Sequence, residues 1–274
     1  MDDVKGTVLT TGANSGIGLA TAIEAARRGY RSIGTVRSAA KADVLTGAAA
    51  AAGLEVETAL LDVTDAEACA DLMDGLELYG LVNNAGYSNA GAVEDVDDEE
   101  ARQQLETLVV APIRLARLAL PAMRAAGRGR IVNVSSIAGR TTAPLTGWYQ
   151  ACKHALEAVS DALRVEVASG GVRVVLVEPG GFKTALWETN ENAVAGRAGS
   201  RFTSNYEREL HLAKLAQPLM GDPAQVGTVI GRILDSRSPR ARYLVGADAQ
   251  ALAVMDAITP TAVKDLVSRL GLGL

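Results

Sequence analysis

Cysteine, histidine and surplus positive charge are all scarce in this chain, and each scarcity closes off a class of function. Among 274 residues there are two cysteines, Cys69 and Cys152, too few for a disulfide framework. Both fall in helical patterns and read as small core residues of a protein kept in a reducing compartment. The two histidines, His154 and His211, belong to no cluster with metal-ligand spacing, so no metal site is expected. Lys and Arg number 27 against 32 Asp and Glu, a net charge of −5, which argues against a nucleic-acid or anionic-membrane footprint. No apolar run approaches the length of a membrane span. The acidic start leads straight into a strand with no secretory leader. A cytoplasmic, soluble protein is the expectation.

Hydrophobic residues make up 48% of the chain, enough for a buried core. Strand and helix patterns alternate along it. Strands are expected at Thr7–Thr10, Ser32–Val36, Leu54–Val63, Tyr79–Val82, Arg130–Val134, Val172–Val177 and Tyr243–Val245. Helices are expected at Ile17–Arg28, Ala39–Ala52, Asp65–Leu76 with Asp65 as N-cap, Asp98–Ala126 as one long helix, Gly147–Ser169 and Pro223–Leu234, with two more at the C-terminus. The acidic stretch Glu94–Glu100 reads as carboxylates gathered at a helix N-terminus. Such alternation implies right-handed crossovers and a mostly parallel sheet covered on both faces, a doubly wound α/β fold. No linker parts the chain, so residues 1–274 are read as a single domain.

Thr11-Gly12-Ala13-Asn14-Ser15-Gly16-Ile17-Gly18 joins the first strand to the first helix. Glycines admit a ligand close to the backbone, and the free N–H groups at the helix start form an anion site. The spacing is G-x-x-x-G-x-G rather than the usual G-x-G-x-x-G dinucleotide fingerprint. At the end of the second strand stand Arg37 and Ser38, with no carboxylate to receive a ribose 2′-hydroxyl. Arg37 is either a solvated surface residue or, with Ser38, a binder of a 2′-phosphate. NADP(H) is therefore favoured, with NAD(H) as the other option. Asp62 ends the third strand, as an acceptor for an adenine amino group or as a plain strand-end cap.

Tyr149 and Lys153 stand four residues apart, so they share one helix face about 6 Å apart along the axis. A phenol is a weak acid, with a reference pKa of about 10. At an effective dielectric near 20 the ammonium would favour the phenolate by roughly 2–3 kcal/mol, about two pKa units. Tyr149 would then serve as a general acid or base. Ser136 lies thirteen residues upstream, after the fifth strand.

Taken together, these segments resemble the short-chain dehydrogenase/reductase family. The elements occur in its order: Thr11-Gly12-x3-Gly16-x-Gly18, Asp62-Val63, Asn83-Asn84-Ala85-Gly86, Ser136, Tyr149-x3-Lys153, and Pro179-Gly180-Gly181-Phe182-Lys183-Thr184. The resemblance implies a Rossmann-type sheet of seven parallel strands. It implies that Gly12, Asn14, Ser15, Gly16, Ile17 and Gly18 hold the cofactor phosphates and ribose. Asp62 and Val63 would meet adenine, and Asn84, Ala85 and Gly86 would line the ribose side, with Asn83 bracing the sheet. Pro179, Gly180, Phe182 and Thr184 would cap the nicotinamide end. Ser136, Tyr149 and Lys153 would be catalytic, Lys153 also binding ribose hydroxyls. In much of the family the long helix from Asp98 and the Tyr149 helix form the dimer face, so a homodimer or homotetramer is expected.

One departure is visible. Where the family places an asparagine that helps a water link the lysine to solvent, this chain has Leu108, with Ala111 at a usual glycine. Thr107 is adjacent, but neighbouring helix positions point about 100° apart. The expectation is a slower turnover or a shifted pH profile. The segment 185–221 is read as a lid carrying specificity. Candidate substrate contacts are Tyr87, Leu145, Trp148, Leu186 and Trp187, with Phe182, Tyr206 and Met220 behind them. They point to a small-molecule apolar or aromatic ketone or alcohol. The run Val177–Phe182 and the lengthened C-terminus look like members acting on steroids, retinoids and other lipophilic carbonyls. The competing reading is a non-catalytic NADP(H)-sensing regulatory protein on the same fold.

Overall fold

The computed structural model describes residues 4–274, leaving aside the side chains of Leu186 and Glu188. Its elements in chain order are β1 (Thr7–Thr10), α1 (Gly16–Arg27), β2 (Arg31–Val36), α2 (Ala39–Ala51), β3 (Glu57–Leu60), α3 (Ala66–Met73), β4 (Gly80–Asn83) and α4 (Asp98–Leu105). A π-helical turn, Glu106–Val110, leads into α5 (Ala111–Ala125), β5 (Gly129–Val134), α6 (Gly147–Glu166) and β6 (Val172–Pro179). Then follow α7 (Leu186–Ala195), α8 (Thr203–Ala216), α9 (Pro223–Asp235), β7 (Arg242–Val245), α10 (Ala247–Ile258) and α11 (Thr261–Leu272).

The seven strands form one parallel sheet in the order β3-β2-β1-β4-β5-β6-β7. The chain winds outward from β1 to β3, then returns to β4 on the other side of β1. That reversal opens a crevice at the carboxyl ends of β1 and β4, where ligands of doubly wound sheets bind. Strand periodicity divides the core. Leu9, Leu81, Ile131 and Val174 face α3 and α5, meeting Cys69, Met73, Leu115 and Met123. Their neighbours Val8, Val82, Val132 and Val175 face the other way, onto Val226, Ile230 and Ile233 of α9.

Two expectations are corrected. The third strand spans four residues instead of Leu54–Val63, because it is the sheet edge, pairs only with β2, and leaves Glu57, Thr58 and Leu60 exposed. The long helix from Asp98 is not continuous α. At its centre the Ala111 N–H bonds the Glu106 carbonyl, five residues back. Pro112 lacks the N–H that would bond the Leu108 carbonyl in an α-helix, which favours the wider turn at this point. The acidic stretch behaves as read from Asp97 onward, whereas Asp95 accepts from Ser200 and Tyr206 and Glu94 pairs with Arg201. The Asp97 side chain accepts from the N–H groups of Glu99 at 2.9 Å and Glu100 at 2.8 Å, while the Glu100 carboxylate accepts from the Asp97 N–H.

Candidate active site

The turn after β1 is bound tightly to the segment after β4. Gly12 and Gly16 take positive φ of 66° and 52°. A Cβ on Gly18 would lie 2.2 Å from the Gly12 carbonyl oxygen and 2.4 Å from Asn84 Nδ2, so only glycine lets α1 begin so close to the turn. Thr11 supplies the cross-link. Its Oγ1 accepts from the N–H groups of Asn84 at 3.0 Å and Ala85 at 2.9 Å. Asn84 Nδ2 donates back to the carbonyls of Thr11 and Gly12. Asn83 Nδ2 donates to Asn133 Oδ1 at 2.8 Å and to the Pro112 carbonyl, which braces β4 against β5 and the long helix.

Two helices at this edge begin uncapped. The side chains of Ser15 before α1 and Ser38 before α2 make no cap bond, and neither first turn holds an acid. By contrast α3, α4 and α9 are capped by Asp65, Asp97 and Asp222. Unbonded N–H groups and a positive dipole end are therefore open at α1 and α2, as they are at α6 and α8. The exposed Arg37 lies immediately before α2. An Ala13 N–H to Thr35 carbonyl bond of 2.9 Å ties the glycine turn to the end of β2. This cradle fits an anionic dinucleotide carrying a pyrophosphate at one helix start and a further phosphate at the other.

Beyond β5, the Ser136 side chain caps a short 3₁₀ turn, accepting from the Ala138 N–H at 3.1 Å. Its hydroxyl faces the Tyr149 phenol on the first turn of α6. Lys153 is 7% exposed, and its Nζ donates to the Val134 carbonyl at 3.0 Å while lying 5.7 Å from the Tyr149 ring centre. The expected lowering of the Tyr149 pKa is overturned. Burial pushes the phenol up to about 12, and the Ser136 hydroxyl only partly offsets this. Burial also pushes Lys153 down to about 8. Desolvation is the largest cause at both groups.

The short chain dehydrogenase family profile matches residues 6–195. This chain belongs to the short-chain dehydrogenase/reductase family. It is an oxidoreductase of the kind that acts on CH–OH groups. It is 36% identical over 251 residues to the uncharacterized oxidoreductase YusZ of Bacillus subtilis, covering 88% of this chain and 89% of that one. It is 31% identical over 283 residues to retinol dehydrogenase 5 of Homo sapiens, covering 95% and 86%. Among solved structures, a short-chain dehydrogenase from Streptomyces avermitilis superposes with a TM-score of 0.80 at 31% identity, covering 98% and 97%.

Several residues expected at the site of this short-chain dehydrogenase are engaged elsewhere. The Phe182 ring is buried with Val177, Val226 and Val245 and presses on Gly221. Val63 is buried in the core on the α3 side, and Asp62 Oδ1 accepts from the Thr64 N–H at 3.0 Å and Thr64 Oγ1 at 2.7 Å. Those bonds hold the Asp62 carboxyl below the usual range, with a smaller contribution from Arg37. Leu145 and Tyr206 pack together with Ala92. Tyr206 Oη accepts from the Ala92 N–H and donates to Asp95 Oδ2, both at 2.6 Å. Trp187, Thr184 and Met220 line a cleft of about 360 Å³ that reaches Gly16. Trp187 Nε1 donates to the Phe182 carbonyl at 3.1 Å, whereas the buried Trp148 Nε1 has no partner. Tyr87 is half-buried, and the Leu186 side chain lies outside the described residues.

The sequence reading missed Asp248. From the first turn of α10 its Oδ2 accepts from the Gly181 N–H at 2.6 Å, pinning the Pro179–Thr184 turn. Its only sequence signal is an acid at a helix start after the last strand. Replacing Asp248 with alanine is expected to raise KM for the dinucleotide by roughly 3–10-fold, the size of one charge-assisted bond. Its kcat should stay within about twofold, since no proton-transfer group is touched. Steady-state titration of the cofactor checks this.

Proposed function

We propose that this enzyme transfers a hydride between NADP(H) and the carbonyl carbon of a lipophilic or aromatic ketone, or the matching secondary alcohol. The observation that carries the reading is the meeting of Ser136, Tyr149 and Lys153 at the carboxyl end of β5, in a sheet whose β1 leads through a glycine turn into the uncapped α1. A bound nicotinamide supplies the hydride. Tyr149, whose raised pKa keeps its proton at neutral pH, donates to the carbonyl oxygen, and Ser136 hydrogen-bonds that oxygen and orients it. The Lys153 ammonium steadies the phenolate that results. Oxidation of an alcohol runs the same path in reverse.

The turn from Gly12 to Gly18 would hold the pyrophosphate on main-chain N–H groups. Ala85, Gly86 and the Asn84 main chain would line the ribose. Thr184, Gly180 and Pro179 would bound the nicotinamide. Arg37 and Ser38 would take the 2′-phosphate. Specificity would lie in 185–221 as a lid, with Trp148, Trp187 and Tyr87 nearest the substrate. The resemblance to a retinol dehydrogenase supports an apolar substrate. No helix among the described residues is long and apolar enough to cross a membrane, and we take the protein as cytoplasmic. A homodimer or homotetramer would use the exposed Val110, Val159 and Val165 of the long helix and α6.

Oxidation of NADPH and NADH across a panel of apolar ketones tests the reading. Arg37→Glu is expected to lower kcat/KM for NADPH by roughly 10–100-fold and to leave NADH within about threefold. Equal losses with both cofactors would remove the 2′-phosphate assignment. Leu108, buried against Gly86, keeps the sensor reading in play. Tight NADPH binding without turnover of any carbonyl or alcohol would favour it.

A further inference from the structure

Among the described residues Leu145 is the one non-glycine with a positive φ, 66°. An L side chain is strained there, and such a conformation persists only where its surroundings hold it. Leu145 lies two residues before α6 begins and four before Tyr149. The segment after β4 holds it in place. The Gly91 N–H donates to the Leu145 carbonyl at 2.7 Å, and Gly91 pairs with Thr146 in a parallel bridge. Gln150, the buried neighbour of Tyr149, ties the same loop to α6. Its Oε1 accepts from the Ala143 N–H at 2.8 Å, and its Nε2 donates to Thr146 Oγ1 at 3.0 Å. The Leu145 side chain is buried in one cluster with Ala92 and Tyr206.

Residues 90–95 are in turn held from far along the chain. Tyr206 of α8 is 1% exposed, and its Oη accepts from the Ala92 N–H and donates to Asp95 Oδ2. Ser200 Oγ donates to the same Asp95 oxygen at 2.6 Å. Arg197, two residues past α7, has a side chain only 9% exposed. Its Nε donates to the Ala90 carbonyl at 2.9 Å and its Nη1 to the Asp95 carbonyl at 2.7 Å, while Nη2 lies 3.3 Å from the Glu100 carboxylate. Side chains from 197–206 thus satisfy main-chain groups of Ala90, Ala92 and Asp95 that would otherwise need water. Such a fork of donors is what a guanidinium supplies and an ammonium does not. Val194 and Phe202 pack on the Leu145 cluster from the same side. The segment 185–221 is therefore fastened at its middle to the segment that holds Leu145.

We propose that Tyr206 is a positioning residue for the reaction: with Asp95 and Arg197 it clamps residues 90–95 against Leu145 and so fixes the start of the helix that carries Tyr149. The inference rests on the reductase reading. Tyr206 acts through Ala92 and Leu145, its partners in the cluster, and not on a reacting atom. With the clamp loosened, Leu145 leaves its strained φ and the first turn of α6 moves with it. A displacement on the order of 1 Å at the reacting atoms can cost about 100-fold in rate. The glycine turn assigned to the cofactor stands on β1 and α1, outside this chain of contacts, so NADPH affinity is spared.

Tyr206→Phe keeps the ring in the cluster and removes the hydroxyl. Assayed where the protein is fully folded, its kcat for ketone reduction is expected to fall roughly 5–20-fold, with KM for NADPH within about twofold of the parent. Asp95→Ala should match it, and the double variant should fall no further than either single one, because both break one link. Asp95→Asn, which keeps an accepting oxygen, should recover most of the loss. Tyr30→Phe is the matched control. It removes a tyrosine hydroxyl bond of 3.0 Å to Asp235 at the amino end of the sheet, and its kcat should be parental. A parental kcat in Tyr206→Phe, or an equal fall in Tyr30→Phe, overturns the positioning role while leaving the reductase reading intact. A parent protein that binds NADPH and reduces no carbonyl overturns both. If Tyr206→Phe does not fold, Ser200→Ala decides, since it removes a single side-chain bond to Asp95. A fall of about threefold in kcat at parental KM for NADPH supports the clamp, and parental behaviour overturns it.

Discussion

With phenylalanine in place of Tyr149, ketone reduction should fall by roughly 10²–10⁴-fold, the usual contribution of a positioned general acid. NADPH affinity should change by less than about threefold, because the ring stays and only the phenolic oxygen is lost. The pH dependence of the parent follows from the same geometry. Burial holds the Tyr149 proton well past neutral pH, with a pKa of about 12, so Tyr149 is a donor throughout the ordinary range. Lys153, lowered by burial to about 8, loses its charge as pH rises through that value. The phenolate left by proton donation then has no cation beside it. Reduction should therefore decline above about pH 8, through kcat rather than cofactor affinity. Stopped-flow NADPH oxidation by parent and variant across pH checks both points. A Tyr149→Phe protein that retains parental turnover would remove Tyr149 from the chemistry.

Gly18→Ala is expected to be the most damaging single methyl in the glycine turn after β1. The new Cβ would sit 2.2 Å from the Gly12 carbonyl oxygen, a main-chain atom that cannot swing aside, and 2.4 Å from Asn84 Nδ2. Relief requires moving the start of α1 away from the turn, which disrupts the Asn84 bonds to Thr11 and Gly12. Overpacking of this kind costs about 3 kcal/mol or more. For a chain of this length that lowers Tm by roughly 5–10 °C. Because the open N–H groups of α1 shift too, NADPH binding should weaken by at least about tenfold. Calorimetry and a fluorescence titration read the two effects. Alanine at Gly29, where no heavy atom lies within 4 Å of the added Cβ, is the control for steric crowding. Its positive φ of 82° leaves only local backbone strain, far from the site.

Much of this was legible in the chain itself. Alternating strand and helix patterns defined the doubly wound order, and spacing alone put Tyr149 and Lys153 on one face of α6. The glycine turn and the absence of an acid after β2 were readable at the level of single residues. Other features were hidden because they depend on partners far away in sequence. Asp248 reaches Gly181 across 67 residues, and no local pattern announces it. Phe182 lies in a motif read as cofactor-facing, yet its ring serves the core beside α9. The π-helical turn before Pro112 escaped a reading that assumed an unbroken 3.6-residue period.

Residue type and spacing by themselves determined the fold class and the family and singled out Ser136, Tyr149 and Lys153 as the proposed reactive trio, since periodicity and short motifs are local properties. The protonation states were decided only by tertiary structure. Isolated on a helix, Tyr149 beside Lys153 would be acidified. In the folded protein the ammonium gives one hydrogen bond to the Val134 carbonyl, and burial raises the phenol. The stripe along α6 that continues at four-residue intervals to Glu157 and Asp161 could be counted in the sequence. Its surroundings were set only when β6 and β7 brought Glu178 and Arg242 against it, because desolvation and the field of distant charges exist only once the chain has closed on itself.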